Sequence, residues 1–407
     1  MANLKYWVWL TTREYVWPGA VRSIVDYFGS PERAFYGTER DFEQVEGLNE
    51  RMLKALLDKG TARADDILGE CDRLGIRLMT CQDAEYPERL NQLPDKPMLL
   101  YIQGKRFDFD EEAAIGVVGA RECTAYGRSA ASRIGLELAR GGALVVSGMA
   151  QGVDSMALQG ALKGGGRAVS VLANGLDVFY PASSRSVQED IAVAGMLISE
   201  YPPGTTVNGR NFPVRNRIIS GLSLGVLAVE CKRSSGTMLT INHAQEQDRD
   251  VFAVPGSIFS ELSTGTNWLI RQGAHPVTCG EDILVEYRDR FPAKLAGKRP
   301  LSPGEREERV GGMAPIPPEQ PVSQESLEEK APPKPRISRE EQTKLFTDEQ
   351  LTVLLALRTG SRSADELVEE TQIPVRRVQT ALTMLQIQGT VSEGPGRRFV
   401  CQVELAD

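Results

Sequence analysis

The sequence predicts an α/β fold with a mostly parallel sheet, preceded by a helical segment and followed by a small separate domain. Three observations carry this. Between Ala113 and about Tyr287, short apolar runs at 114–118, 144–146, 168–172, 196–198, 226–229 and 251–254 alternate with helical patterns. The runs are apolar throughout, as strands covered on both faces are. From Phe291 to about residue 344, Pro, Glu, Lys and Gly dominate and no aromatic follows Phe291 until Phe346, so this stretch reads as a disordered linker between domains.

Residues 1–80 read as a helical domain. Apolar residues recur at helical spacing in Ala20, Val21, Ile24, Val25 and Phe28, and again in Met52, Leu53, Leu56 and Leu57. Between them, Phe42 to Asn49 is similar to the turn of a helix-hairpin-helix unit, with Asn49 at the usual second glycine. Asparagine also adopts the left-handed backbone, so the turn is expected to survive there. The segment is acidic in net charge, which favours a structural or partner-binding role over DNA binding.

Residues 81–290 form the core, opening with a turn-rich connector, 81–112, in which 98–102 reads as a strand. In parallel α/β sheets, ligands sit beyond the carboxyl ends of the strands. Glycine occurs after every predicted strand on that edge: Gly119, Gly148, Gly175, Gly204, Gly236 and Gly256. Such residues let a backbone approach closely. Arg121, Arg185, Arg210, Arg215, Arg217, Lys232 and Arg233 lie in or beside the same loops, so the expected ligand is anionic. The alternative is that several of them pair with Asp154, Asp177 or Glu230.

The densest stretch is FPVRNRIISGLSLGVLAVECKRSSG, Phe212 to Gly236. Arg215-Asn216-Arg217 come first, then a buried strand, then Ser235-Gly236-Thr237 at a helix start with free N–H groups. That combination suits phosphate. It also fits a surface helix with solvated arginines and an ordinary strand-to-helix turn.

Residues 345–407 recover periodicity. Three helical patterns, the second opened by Ser363 and the third by Pro374, precede a hairpin pattern around Gly394. This is a winged-helix layout, and Arg376 and Arg377 fall on its third helix.

The 407 residues carry a net charge of −8. That argues against a protein coating nucleic acid with its whole surface and leaves room for one basic groove. No run of about 18 apolar residues predicts a membrane span. The start lacks a secretory cleavage pattern. Cysteines at 71, 81, 123, 231, 279 and 401 form no CxxC pair, and only two histidines are present. A disulfide scaffold or metal site is therefore not expected, and a reducing cytoplasm is.

The stretches VVGAREC, VVSGMAQGVDSMAL, LANGLDVFYP, ISEYPPG, FPVRNRIISGLSLGVLAVECKRSSGTMLT, VFAVPGS and GTNWLIRQGA together resemble the DNA-processing protein A family, also called DprA or Smf. The resemblance covers nearly all of residues 114–280. The flanks resemble the family's SAM-like and winged-helix accessories. It implies an extended Rossmann-like core that binds single-stranded DNA, protects it in natural transformation and helps load the RecA recombinase. It implies a dimer, no cofactor and no catalysis. Carried over by position, Gly119, Arg121, Ser147, Gly148, Arg185, Arg215, Asn216, Arg217, Ser235, Gly236 and Thr237 would lie on the DNA. Trp268, Leu269, Ile270, Pro276 and Val277 would belong to the dimer and partner surface. Phe212, Phe179 and Tyr180 are candidates for base stacking or for core packing. Leu158 stands where members commonly carry a histidine.

The rival class is enzymatic. Related folds hydrolyse nucleoside monophosphates with a glycine-rich phosphate loop and a carboxylate, and Asp154, Asp177 or Glu230 would serve. The Pro-Gly-Gly-x-Gly-Thr loop of such enzymes is absent, with Ser235-Gly236-Thr237 its nearest echo. A dinucleotide fingerprint GxGxxG is also missing after the first strand.

Overall fold

The computed structural model of the chain describes residues 2–295, 336–337, 342, 346–387, 390–394 and 398–405. Most of the expected linker, 291–344, lies outside them. The chain forms two compact units, Met1–Gly312 and Met313–Asp407.

The first unit holds a nine-stranded sheet. In chain order its strands are β1 (Arg77–Thr80), β2 (Leu99–Gly104), β3 (Ala114–Val118), β4 (Leu144–Ser147), β5 (Ala168–Leu172), β6 (Met196–Ser199), β7 (Gly225–Ala228), β8 (Asp250–Ala253) and β9 (His275–Pro276). Their order across the sheet is β1-β2-β6-β5-β4-β3-β7-β8-β9. From β6 to β9 every pair is parallel, while β1 and β2 run antiparallel at one edge. The chain lays down β3 to β6 in one direction and then returns to place β7 on the other side of β3. That reversal opens a crevice at the carboxyl ends of β3 and β7.

The central strands each feed two cores, because successive side chains point to opposite faces. Ile115, Val117 and Val145 enter one buried cluster, and Ala114, Val118, Leu144 and Val146 enter the other. The first face is covered by α8 (Ala125–Gly141), α9 (Val153–Lys163) and α10 (Arg185–Ala194), the second by α11 (Asn211–Leu222) and α12 (Gly236–Glu246). Gly135 and Gly160 let α8 and α9 touch backbone to backbone. A methyl at Gly160 would lie 2.1 Å from the Ser132 carbonyl.

The N-terminal helices α1 (Ala2–Thr11), α2 (Pro18–Phe28), α3 (Pro31–Phe35), α4 (Glu39–Glu43), α5 (Glu50–Leu57) and α6 (Ala62–Leu74) do not stand apart from this core. Trp7, Trp9, Ile24, Phe42 and Leu56 share one buried cluster with Leu99 and Tyr101 of β2. Between α4 and α5, Gly47 is left-handed at φ 85°. Asn49 is not left-handed: it is extended at φ −110° and caps α5 by accepting from the Met52 N–H at 3.1 Å. Its side chain satisfies a helix-start donor instead of mimicking glycine.

The second unit has helices Asp348–Ala356, Ala364–Thr371 and Val375–Ile387, and a three-stranded sheet of Arg362–Ser363, Arg398–Cys401 and Val391–Gly394 in that order. Thr347 and Ser363 each form a capping box at the first two helices. This is the winged-helix layout. Arg377 pairs with Glu349 of the first helix, and the Arg376 side chain lies outside the described residues.

Candidate nucleic-acid interface

A cleft of about 670 Å³ opens where the strand order reverses. Its lining includes Gly119, Ala120, Arg121, Phe212, Arg215, Asn216, Lys232, Ser235, Gly236 and Thr237, so most of the expected site residues converge here. A second cleft of about 580 Å³ adjoins it and shares Arg121, Glu122 and Leu262.

Three helix N-termini face this region, those of α9, α11 and α12, and none carries a side-chain cap hydrogen bond. The partial positive charge of such ends favours an anion, although at α9 the Val153 and Ser155 N–H groups already donate to the Ala120 and Ala150 carbonyls at 3.2 and 3.1 Å. At α12 the cap residue is Ser235, whose side chain makes no cap hydrogen bond. Gly236 follows, exposed, with nothing within 4 Å of where a methyl would sit. By contrast α8 is capped: Thr124 accepts from the Gly127 N–H, and its own N–H and hydroxyl donate to Glu230 at 2.9 and 2.6 Å. The Glu230 backbone carbonyl also receives the Ala120 N–H at 2.7 Å, which ties the β3 loop to the end of β7.

The basic side chains divide sharply by their surroundings. The Arg121 guanidinium is exposed and lies 4.7 Å from the centre of the Phe212 ring, with no ion pair among the described residues. Phe212 is half-buried and meets the exposed Tyr180 ring at 5.8 Å. Lys232 pairs with Glu261 at 2.7 Å, and Arg233 sits over Trp268 at 4.9 Å. Arg185 lies outside the cleft lining, over Phe179 at 4.8 Å and paired with Glu189 at 2.9 Å.

Arg215 and Arg217 depart from the expectation of free guanidiniums, because each is only 3% exposed. Arg215 lines the floor of the cleft and donates to the carbonyls of Gly148, at 2.7 Å, and Val171. The Asp154 carboxylate flanks the same glycine. Burial pushes Asp154 up to about 6, against the opposing pull of Arg215 and the Gly148 and Ala150 backbones. Burial likewise brings Arg215 down to about 10. Arg217 points away and reaches Glu200 at 2.9 Å and Asp95 at 3.1 Å. Burial works against its charge, but the two carboxylates outweigh it and raise the guanidinium above its ordinary value. Arg217 is therefore a bolt between α11, β6 and the connector.

Two more residues expected on the DNA are buried. Ser147 is fully buried and donates to the Val117 carbonyl at 2.6 Å. Gly148 is buried too, and a methyl there would lie 2.5 Å from the Arg215 guanidinium. Gly119 serves packing as well, since a methyl there would lie 2.6 Å from Val153. On the expected dimer surface, Leu269 and Val277 are core residues, Trp268 and Ile270 are half-buried, and Pro276 is exposed on β9. Leu158 is fully buried.

The comparisons with known proteins fit this geometry. Residues 77–288 match the family model for DNA recombination-mediator protein A, and residues 328–397 match the DprA winged helix domain. The chain belongs to the DprA/Smf family. Protein Smf of Synechocystis is 30% identical over 98% of this chain and 99% of its own length. DNA processing protein DprA of Streptococcus pneumoniae is 41% identical over 50% of this chain and 71% of its own. An X-ray structure of DprA from that species superposes with a TM-score of 0.63 at 31% identity, covering 69% of this chain and 97% of that one. DNA processing protein A of Helicobacter pylori, solved for its single-stranded DNA binding mode, covers 53% of this chain and 97% of its own at 28% identity, with a TM-score of 0.48. Among the described residues, no helix is long and apolar enough to cross a membrane.

Proposed function

We propose that this chain binds single-stranded DNA without sequence preference, protects it, and helps deliver it to the RecA recombinase as a cytoplasmic homodimer without catalysis or a cofactor. The observation that carries this reading is the cleft at the strand-order reversal. It combines uncapped helix N-termini, an unpaired arginine and an aromatic ring on one rim. Phosphates suit the N–H groups and Arg121, and a base suits Phe212. Such contacts carry little base information. Relative to the sequence expectation, the set of direct contacts narrows to Arg121, Phe212, Asn216, Ser235, Gly236 and Thr237, with Arg185 beyond the cleft lining. Arg215 and Arg217 hold the platform in shape. The same reading assigns dimerisation to the open edge of β9, where His275 and Pro276 are exposed.

The three carboxylates available to a hydrolase each have partners, although Asp154 also lines the cleft. Glu230 accepts from Thr124, the cap of α8, Asp177 accepts from the Gly204 N–H at 2.8 Å, and Asp154 is buried against Arg215. That favours binding over hydrolysis. Oligo-dT titration at several salt concentrations tests the reading. Binding that falls with salt, by a log–log slope of roughly −0.7 per neutralised phosphate, is expected. Release of ribose 5-phosphate from AMP, with no oligo-dT binding, would reverse it.

A further inference from the structure

We infer that a strand seated in the core cleft continues past α11 onto the N-terminal helices, where Arg51, Lys54 and Arg63 hold its phosphates and Tyr15 receives a base. This rests on the reading of the core cleft as a single-strand site and extends its footprint to a surface the sequence assigned no such role.

Three clefts lie in succession. The core cleft is lined by Phe212, Pro213 and Arg215 at the start of α11. Val214 of the same helix lines the next cavity, about 350 Å³, together with Tyr201, Pro202, Arg13 and Arg63. Thr12, Arg13 and Arg63 in turn line a third cleft, about 880 Å³, formed by the end of α1 and the helices α5 and α6. The last two share Thr12, Arg13 and Arg63, and the first two meet at consecutive residues of α11, Pro213 and Val214.

The far cleft has the chemistry of a nucleic-acid contact although its helices are acidic overall. Its lining carries Arg13, Arg51, Lys54 and Arg63 against Glu14 and Asp58. Asp58 is paired with Arg13 at 3.1 Å. Arg51, Lys54 and Arg63 are exposed and have no ion pair among the described residues, which leaves three cations against Glu14. Glu200, in the middle cavity, is already held by Arg217. Tyr15 is 63% exposed, and the Arg51 guanidinium lies 6.0 Å from the centre of its ring. Its backbone is left-handed at φ 65°, a conformation costly for a bulky side chain. The fold therefore maintains a strained residue that presents an aromatic face to solvent between cations. Alternating cations and an aromatic ring are what a flexible polynucleotide engages.

Full-length protein titrated with oligo-dT of increasing length decides the matter. Arg51→Ala/Lys54→Ala/Arg63→Ala is expected to bind short oligomers like wild type and to lose at least tenfold on long ones. Its salt slope on long oligomers should shrink by about 2, three contacts at roughly 0.7 each. Tyr15→Gly relieves the left-handed backbone while removing the ring, so it should melt no lower than wild type and still bind long oligomers more weakly. Arg121→Ala separates the two claims, because it should weaken short and long oligomers alike. If the triple variant matches wild type at every length while Arg121→Ala weakens binding, the extension is wrong and the core site stands. If Arg121→Ala has no effect on short oligomers, both fall. If the triple variant keeps its length dependence but loses binding of a polyglutamate peptide, the surface serves an acidic protein partner and the extension is overturned.

Discussion

The Arg121 guanidinium rests 4.7 Å from the centre of the Phe212 ring, joining the loop after β3 to the start of α11 across the mouth of the cleft. The contact keeps an unpaired cation and an aromatic face on the same rim. Arg121→Ala is expected to weaken all single-stranded sequences alike and to reduce the salt slope by about 0.7. Phe212→Ala should weaken binding about tenfold with the slope unchanged, since stacking displaces no counterion. Fluorescence anisotropy across a salt series separates the two effects.

Glu200→Ala leaves Arg217 buried without its main partner. Breaking a buried pair from one side costs about 3 kcal/mol. Urea unfolding should show that loss, while oligo-dT affinity of the folded fraction stays near wild type. A large affinity loss at unchanged stability would return Arg217 to the binding surface.

Gly148→Ala and Gly236→Ala should behave oppositely. The first drives a methyl into the Arg215 guanidinium and should cost about 2 kcal/mol of stability. The second meets open space on a helix and should leave the melting temperature unchanged or higher, while crowding the N–H groups that face the ligand. Thermal melts beside binding titrations test the pair.

Asp154 is expected to titrate near pH 6, pushed up by burial. Its folded value lies above its unfolded one, so its contribution favours the folded state fully below about pH 4 and is lost as pH rises through about 6. Arg215→Met removes the nearby cation and should raise the midpoint further. Carbon-detected NMR of the carboxyl follows both; a midpoint near 4 in the wild type would contradict the burial.

Removing residues 1–112 deletes β1 and β2, exposing the edge of β6 and the apolar face that the N-terminal helices cover. The fragment 113–290 is expected to aggregate rather than bind, as light scattering would show.

The central strands were legible because each is apolar along its whole length, which only a doubly covered strand tolerates. β1 and β9 were not, because four residues including Arg77 and a two-residue His-Pro edge carry no such signal. The site was half legible. Glycines marked the edge of the sheet where the cleft opens, but absence of a side chain does not reveal which neighbour needs the space. At Gly119 and Gly148 it is Val153 and Arg215; at Gly236 it is open. Arg215 and Arg217 looked equivalent in sequence. Two residues apart on a helix they point in different directions, and the carboxylate that claims Arg217 comes from Glu200, on another element.

Glu230 holds Thr124 by its side chain and Ala120 by its backbone, so the two lips of the crevice are latched to one another. The gap is then a gauge of set width. Whatever enters has to supply the bending itself, and we expect it to pass a limp thread more readily than a stiff rod.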